Sequence, residues 1–287
     1  MIALPRVAPG DRLIGFAWQI WAMLRAEIAM QWRRWGLWVT FACVSGLLIL
    51  LTVQSAVFLH QLPPTSLYVR QHYTAEDLDN LMTSATGMYG AMFFGVVAAL
   101  LVVDRLGRDQ RLGMTELQRA TPQGPASYIL GKFLGNYIAM LVPTLLAYLL
   151  CALISVLLGW SPALFSKFLL AFLLVFVPAS LATVGLALLL ASFLPVRVVQ
   201  VVFFLLWFEF NIGAGWHGLV FTIFNPSGLY VYPVFFPMPP QQYAEPNFHT
   251  SMHLAQLNIA VLLLTAIVAV VLTYISLAFQ QWRKEEA

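Results

Sequence analysis

The residue with the most chemistry to offer is Glu209, a carboxylate flanked by Phe208 and Phe210 inside a long apolar run, with Asn211 two positions on. A charge at the centre of hydrocarbon costs at least about 2.5 kcal/mol. Glu209 is therefore expected to face a cavity, a partner or a seam between subunits, as a substrate-path residue or in a structural interhelical hydrogen bond. Asn211 reads as polar glue between helices. The histidines are His60, His72, His217, His249 and His253. His249 and His253 share a helical face, but nothing beside them completes a set of three or four ligands, so no metal site is expected. Glu209 and His217 stand about 80° apart on a helical wheel, which leaves open a loose acid–base pair. Cys43 and Cys151 each lie in an apolar run and read as small buried hydrophobes. A phosphate loop needs Gly-x4-Gly-Lys-Ser/Thr. Gly131-Lys132 is the only Gly-Lys pair, and Ala126 and Phe133 stand where Gly and Ser/Thr are required. No nucleotide site is expected on this chain, and no catalytic residue.

The elements that must position these residues are apolar. The chain has 287 residues, 61% hydrophobic and 9% charged. A soluble domain carries about 25% charged residues. The balance excludes a soluble enzyme, a disordered chain and a nucleic-acid-binding domain. It points to an all-α integral membrane protein, one transmembrane domain over residues 1–287.

Six segments are long and apolar enough to span: about 36–60, 84–103, 133–159, 163–194, 196–222 and 255–279. With a cytoplasmic N-terminus, 13 of the 15 Lys and Arg residues fall on the cytoplasmic side, and only Arg70 and Lys167 fall outside. The positive-inside rule then places both termini in the cytoplasm, in a multi-pass protein of the plasma (inner) membrane. Ahead of the first span, residues 13–35 read as an amphipathic interfacial helix rather than a signal peptide. Gln19, Glu27, Gln31, Arg33 and Arg34 share one face, Trp18, Trp21, Trp32 and Trp35 the other, and only Arg25 breaks the pattern. Interfacial Trp and snorkelling Arg imply contact with membrane lipid.

Three connections are long. Residues 61–83 form an outer loop whose Glu76, Asp77 and Asp79 read as solvated. Residues 223–254, rich in Pro and aromatics, are too apolar for a free loop and too Pro-rich for a full span. They read as short helices re-entering the outer leaflet before the last span, where irregular backbone must be satisfied by protein or water. Pro143 and Pro178 fall inside spans and can kink them. Gly131 and Gly135 make a small-xxx-small pair that permits close helix approach.

The third connection, residues 104–132, is cytoplasmic. Gly113 can break the helix arriving from the membrane, and Met114 to Thr121 can form about two turns. Pro122 ends them, and Pro125 suits the first turn of the next helix. The product is a short amphipathic helix across the cytoplasmic face, carrying both charge signs and suited to docking a soluble partner.

Gly113-Met114-Thr115-Glu116-Leu117, then Ala120-Thr121-Pro122, then Tyr128-Ile129-Leu130-Gly131-Lys132, resembles the signature of type-2 ATP-binding-cassette (ABC) exporter permeases. Gln118 stands where that pattern commonly has a second leucine, and Met114 where it commonly has Thr. The resemblance extends to the arrangement of interfacial helix, spans, long second-to-third connection and re-entrant segment. It implies a permease subunit that pairs with a second permease, identical or not, and docks a cytoplasmic ABC ATPase subunit. ATP and Mg would belong to that ATPase, with no cofactor here. Gly113, Met114, Thr115, Glu116, Leu117, Arg119 and Pro122 would form the coupling helix, and the cargo would be amphipathic or bulky. A secondary transporter or channel, or a membrane-embedded enzyme using Glu209, is the alternative; the lack of an internal repeat and of a nucleophile motif weighs against both.

Overall fold

The computed structural model describes residues 9–60, 74–111, 124–211, 222–237 and 250–285. Among them every regular element is helical: α1 (Pro9–Trp32), α2 (Trp35–His60), α3 (Ala75–Arg111), α4 (Pro125–Leu157), α5 (Leu164–Phe193), α6 (Val196–Asn211), α7 (Tyr232–Phe235) and α8 (Met252–Glu285). Five of these, α2, α3, α4, α5 and α8, are long and apolar enough to cross a bilayer. The chain is an all-α integral membrane protein. The expected fifth span, 196–222, is described only as α6, whose 16 residues reach about 24 Å against a hydrocarbon core of about 30 Å. Residues 212–221 lie outside the described residues.

Two boundaries differ from the sequence reading. The interfacial helix runs from Pro9 to Trp32 rather than over 13–35, and Arg33 and Arg34 link it to α2. The acidic stretch expected in the loop 61–83 begins α3 instead. The Thr74 Oγ1 hydroxyl accepts from the Asp77 N–H at 3.2 Å, while Asp77 Oδ2 accepts from the Thr74 N–H and hydroxyl at 2.8 and 2.7 Å. This reciprocal cap, with Glu76 and Asp77 in the first turn, satisfies free N–H groups and complements the helix dipole. Asp79, expected in solvent, is buried one turn further on.

The two prolines behave differently. α4 carries Pro143 in its interior without interruption. In α5, a π-helical turn at Phe172–Phe176 precedes Pro178; proline removes an N–H donor, and a π turn is one way to absorb the mismatch. The turn stacks Phe172 on Phe176 with centroids 5.2 Å apart, and Tyr148 of α4 packs edge-on to Phe172 at 5.4 Å. Phe94 of α3 completes this aromatic centre.

α3 is the hub. Its glycines admit one aromatic each from three other elements: Tyr232 lies over Gly87, Tyr148 over Gly90 and Trp207 over Gly95, each where a Cβ would stand. Tyr148 donates to the Gly87 carbonyl at 3.1 Å, and Trp207 Nε1 donates to the Met92 carbonyl at 2.7 Å.

The described part of the expected re-entrant segment, 222–237, is folded into the bundle. Val231, Tyr232 and Phe236 are buried with Ala91 of α3 and with Ala171 and Val175 of α5. Three of its carbonyls are satisfied by side chains of other helices. Asn258 of α8 donates to the carbonyls of Ile223 and Asn225 at 2.7 and 3.0 Å, and Asn80 of α3 donates to the Pro237 carbonyl at 2.9 Å. Lys167 Nζ donates to Asn80 Oδ1 at 2.7 Å, fastening the start of α5 to the same point. Residues 238–249 lie outside the described residues.

Candidate functional site

The residues proposed for coupling, Gly113, Met114, Thr115, Glu116, Leu117, Arg119 and Pro122, lie outside the described residues. Their frame is described on one side. α4 starts where the proline spacing places it: Gly124 caps it in an extended conformation and Pro125 occupies the first turn. Ser127 Oγ donates back to the Gly124 carbonyl at 2.7 Å and lies 3.0 Å from Gln19 Oε1 of α1. The exit from the connection is thus tied to α1 within its first turn.

From there α1 packs along the first half of α4 through a buried polar seam. Glu27, Gln31, Ser127, Lys132 and Asn136 are all buried. The Gln31 side-chain amide donates to Asn136 Oδ1. Asn136 Nδ2 donates to the Lys132 carbonyl at 2.8 Å. Lys132 Nζ donates to the Tyr128 hydroxyl at 3.2 Å and lies 5.2 Å from the Tyr128 ring centroid.

The close approach follows from Gly131 and Gly135. A Cβ on Gly131 would stand 2.6 Å from the Met23 Cβ, and one on Gly135 would stand 2.7 Å from the Glu27 Cβ and 3.0 Å from the Leu24 carbonyl. The small-xxx-small spacing brings backbone against backbone. That proximity puts the α1 pair Glu27/Gln31 and the α4 pair Lys132/Asn136, both spaced i, i+4, on facing stripes.

The seam determines how α1 is rotated. The face carrying Gln19, Glu27 and Gln31 turns toward protein, while Trp18 and Trp21 are 67% and 55% exposed. An interfacial helix read from sequence alone would be given a polar face toward water. The buried partners on α4 reverse that. Lys132, which counts as one more cytoplasmic charge in the sequence, is a seam residue. The signal was available: a polar i, i+4 pair adjoining a small-xxx-small pair on one helix, and a second polar pair on its neighbour.

Glu209 and Asn211 sit on the last turn of α6 and point to different sides. Asn211 Nδ2 donates to the Trp207 carbonyl at 2.8 Å, one turn back on the side facing α3. Glu209 shares its stripe with Val198, Leu205 and Leu206, all exposed. Among the described residues no donor reaches Glu209 Oε1 or Asn211 Oδ1, and both atoms are buried. The exposed apolar residues beside the half-buried Glu209 leave a stripe that lipid or another protein surface must cover. The geometry does not bring Glu209 together with the coupling frame. The histidine partner considered for it, His217, lies outside the described residues, as do His72 and His249; His253 is exposed at the start of α8.

Residues 43–275 match the family described as ABC-2 family transporter protein. No curated protein matches the chain.

The seam predicts a specific coupling. Gln31→Leu and Asn136→Leu each leave a buried amide without its partner, and each should lower the unfolding temperature in mild detergent. The double variant should be less destabilised than the sum, by about 0.6–1.7 kcal/mol, the range for interhelical hydrogen bonds in membranes. Strict additivity would mean that the two side chains do not interact.

Proposed function

The chain belongs to the ABC-2 transporter family and is a membrane permease component of an ABC transporter, and from that premise we propose that it is the permease of an exporter driven by a separate ABC ATPase subunit. The observation that carries this is the match over residues 43–275, which overlaps all five long apolar helices and includes the connection between α3 and α4. We place the α1 end of the bundle in the cytoplasm of a plasma (inner) membrane, with both termini there. The positive charges of the 104–132 connection support that side, as does Arg197 at the start of α6.

In this reading the ATPase docks on Gly113 to Pro122. ATP-driven closure pushes the connection, and α4 receives the push at Pro125. Because α1 is fastened to Ser127 and Asn136, α1 and the base of α4 move together. The cargo is amphipathic or bulky, in keeping with a pathway of apolar walls. ATP and Mg are bound by the ATPase subunit, and this chain supplies no catalytic residue.

We assign the surface that covers this stripe to a second permease subunit, identical or closely related, by analogy with the symmetry of most oligomers. The Val198–Leu205–Leu206 stripe then lies at the seam between the two permeases. There Glu209 finds a donor or lines the pathway, while Asn211 stays on the side of α6 facing α3. A secondary transporter would need a coupling-ion site, and nothing described around Glu209 supplies a ligand set for one.

Two outcomes test this reading. Glu116→Ala with Leu117→Ala should leave the protein inserted in the membrane while reducing co-purification of the ATPase subunit at least about tenfold, the effect of losing roughly 1.4 kcal/mol of docking energy. Undiminished co-purification would remove the connection from the docking site. Glu209→Gln should alter the rate of ATP hydrolysis in the reconstituted complex while leaving ATPase docking intact. Wild-type hydrolysis together with wild-type stability would reduce Glu209 to an incidental residue.

A further inference from the structure

Among the described residues the outward face of α1 meets protein at its end, where Trp32 Nε1 donates to the Ala139 carbonyl of α4 at 3.3 Å and its ring lies 6.5 Å from that of Trp38, and the composition of the rest identifies what covers it. Trp18, Trp21, Arg25 and Trp32 recur at steps of three, four and seven residues, one stripe of a helix. All four are exposed, as is Trp35 where α2 begins. Arg25, which interrupts the pattern in the sequence, therefore lies in the middle of the tryptophan stripe. Among the described residues nothing pairs with it.

The charge around Arg25 is one-sided. Between Arg12 and Trp35 the only acidic residue is Glu27, and Glu27 is fully buried against α4 at Gly135. Arg33 adds a second exposed positive charge at the end of the helix. The seam thus removes the one carboxylate from the surface and presents an arginine bracketed by indoles.

Indole rings settle at the boundary between hydrocarbon and headgroup. A guanidinium held at that depth meets phosphate oxygens, for which its planar fork is matched. We propose that the Trp18–Trp21–Arg25–Trp32 face of α1 is a docking surface for anionic phospholipid headgroups, with Arg25 as the residue that selects them. The anionic preference arises because Glu27, the one carboxylate between Arg12 and Trp35, is buried against α4 and does not compete for Arg25. This proposal rests on α1 lying at a membrane surface and not on the ATPase partnership, so it stands or falls apart from the transport reading.

The test uses the full chain reconstituted in bilayers of equimolar phosphatidylcholine and phosphatidylglycerol, re-extracted in mild detergent, with retained lipid quantified by mass spectrometry. The wild type should retain phosphatidylglycerol in excess. Arg25→Gln should lower the phosphatidylglycerol-to-phosphatidylcholine ratio about fivefold, the effect of one basic residue at an anionic surface. Arg25→Lys should keep most of the enrichment. Arg197→Gln, at an exposed arginine on α6 away from the tryptophans, should leave the ratio near that of wild type. An unchanged ratio in Arg25→Gln, or an equal fall in Arg197→Gln, would overturn the assignment.

Discussion

The arrangement at the α1 end depends on one constraint: polar side chains in a chain this apolar must be paired with one another. Gln31 on α1 and Asn136 on α4 meet it by bonding across a gap closed by Gly131 and Gly135, with Glu27 buried against Gly135 and Lys132 buried on Tyr128. None of these side chains has a tolerable alternative in hydrocarbon. The seam therefore specifies register and rotation together. It places α1 along α4 and sends the tryptophans outward. It also ties the first turn of α4 to α1 at the point where the connection from α3 arrives.

The same constraint acts at the opposite end through different residues. Asn80, Lys167 and Asn258 gather the starts of α3, α5 and α8 around segment 222–237 and supply its irregular backbone with donors. Between the two polar ends lies a centre of aromatic rings and small residues, with Tyr148, Phe172 and Phe176 packed against α3. The bundle is thus held by polar locks at its ends and by shape in the middle. A push delivered at Pro125 would be carried by α4, whose Tyr148 is seated in that centre.

Much of this was legible in the sequence, and the gaps have physical causes. The spans followed from run length, and Gly124-Pro125 marked the start of α4. The two faces of α1 were visible, but not their direction. A wheel separates Glu27 from Trp21 without saying which side meets protein, because that depends on Lys132 and Asn136 more than a hundred positions away. Run length alone leaves Asp79 in a loop, because the cap formed by Thr74 and Asp77 begins α3 about nine residues before its apolar run. Pro143 and Pro178 looked equivalent. Only packing distinguishes a proline carried within a continuous helix from one preceded by a π turn. The cost of Glu209 in lipid is legible from its apolar neighbours, but what lies against it is not, because its neighbours in sequence do not say which surface packs on the stripe of Val198, Leu205 and Leu206.

The rotation of α1 is the claim on which the seam, the exposed tryptophans and the joint movement of α1 with α4 all rest. Its most direct test is a scan of single spin labels along residues 18–32 in reconstituted vesicles, measuring collision with oxygen and with a polar relaxant. The account predicts a helical period in which labels at Leu24, Glu27 and Gln31 are shielded from both agents, while labels at Trp18, Trp21 and Arg25 are reached by oxygen or at the headgroup boundary. Access of the polar relaxant to positions 27 and 31, with shielding at 18 and 21, would mean that α1 lies the other way round and would contradict the account.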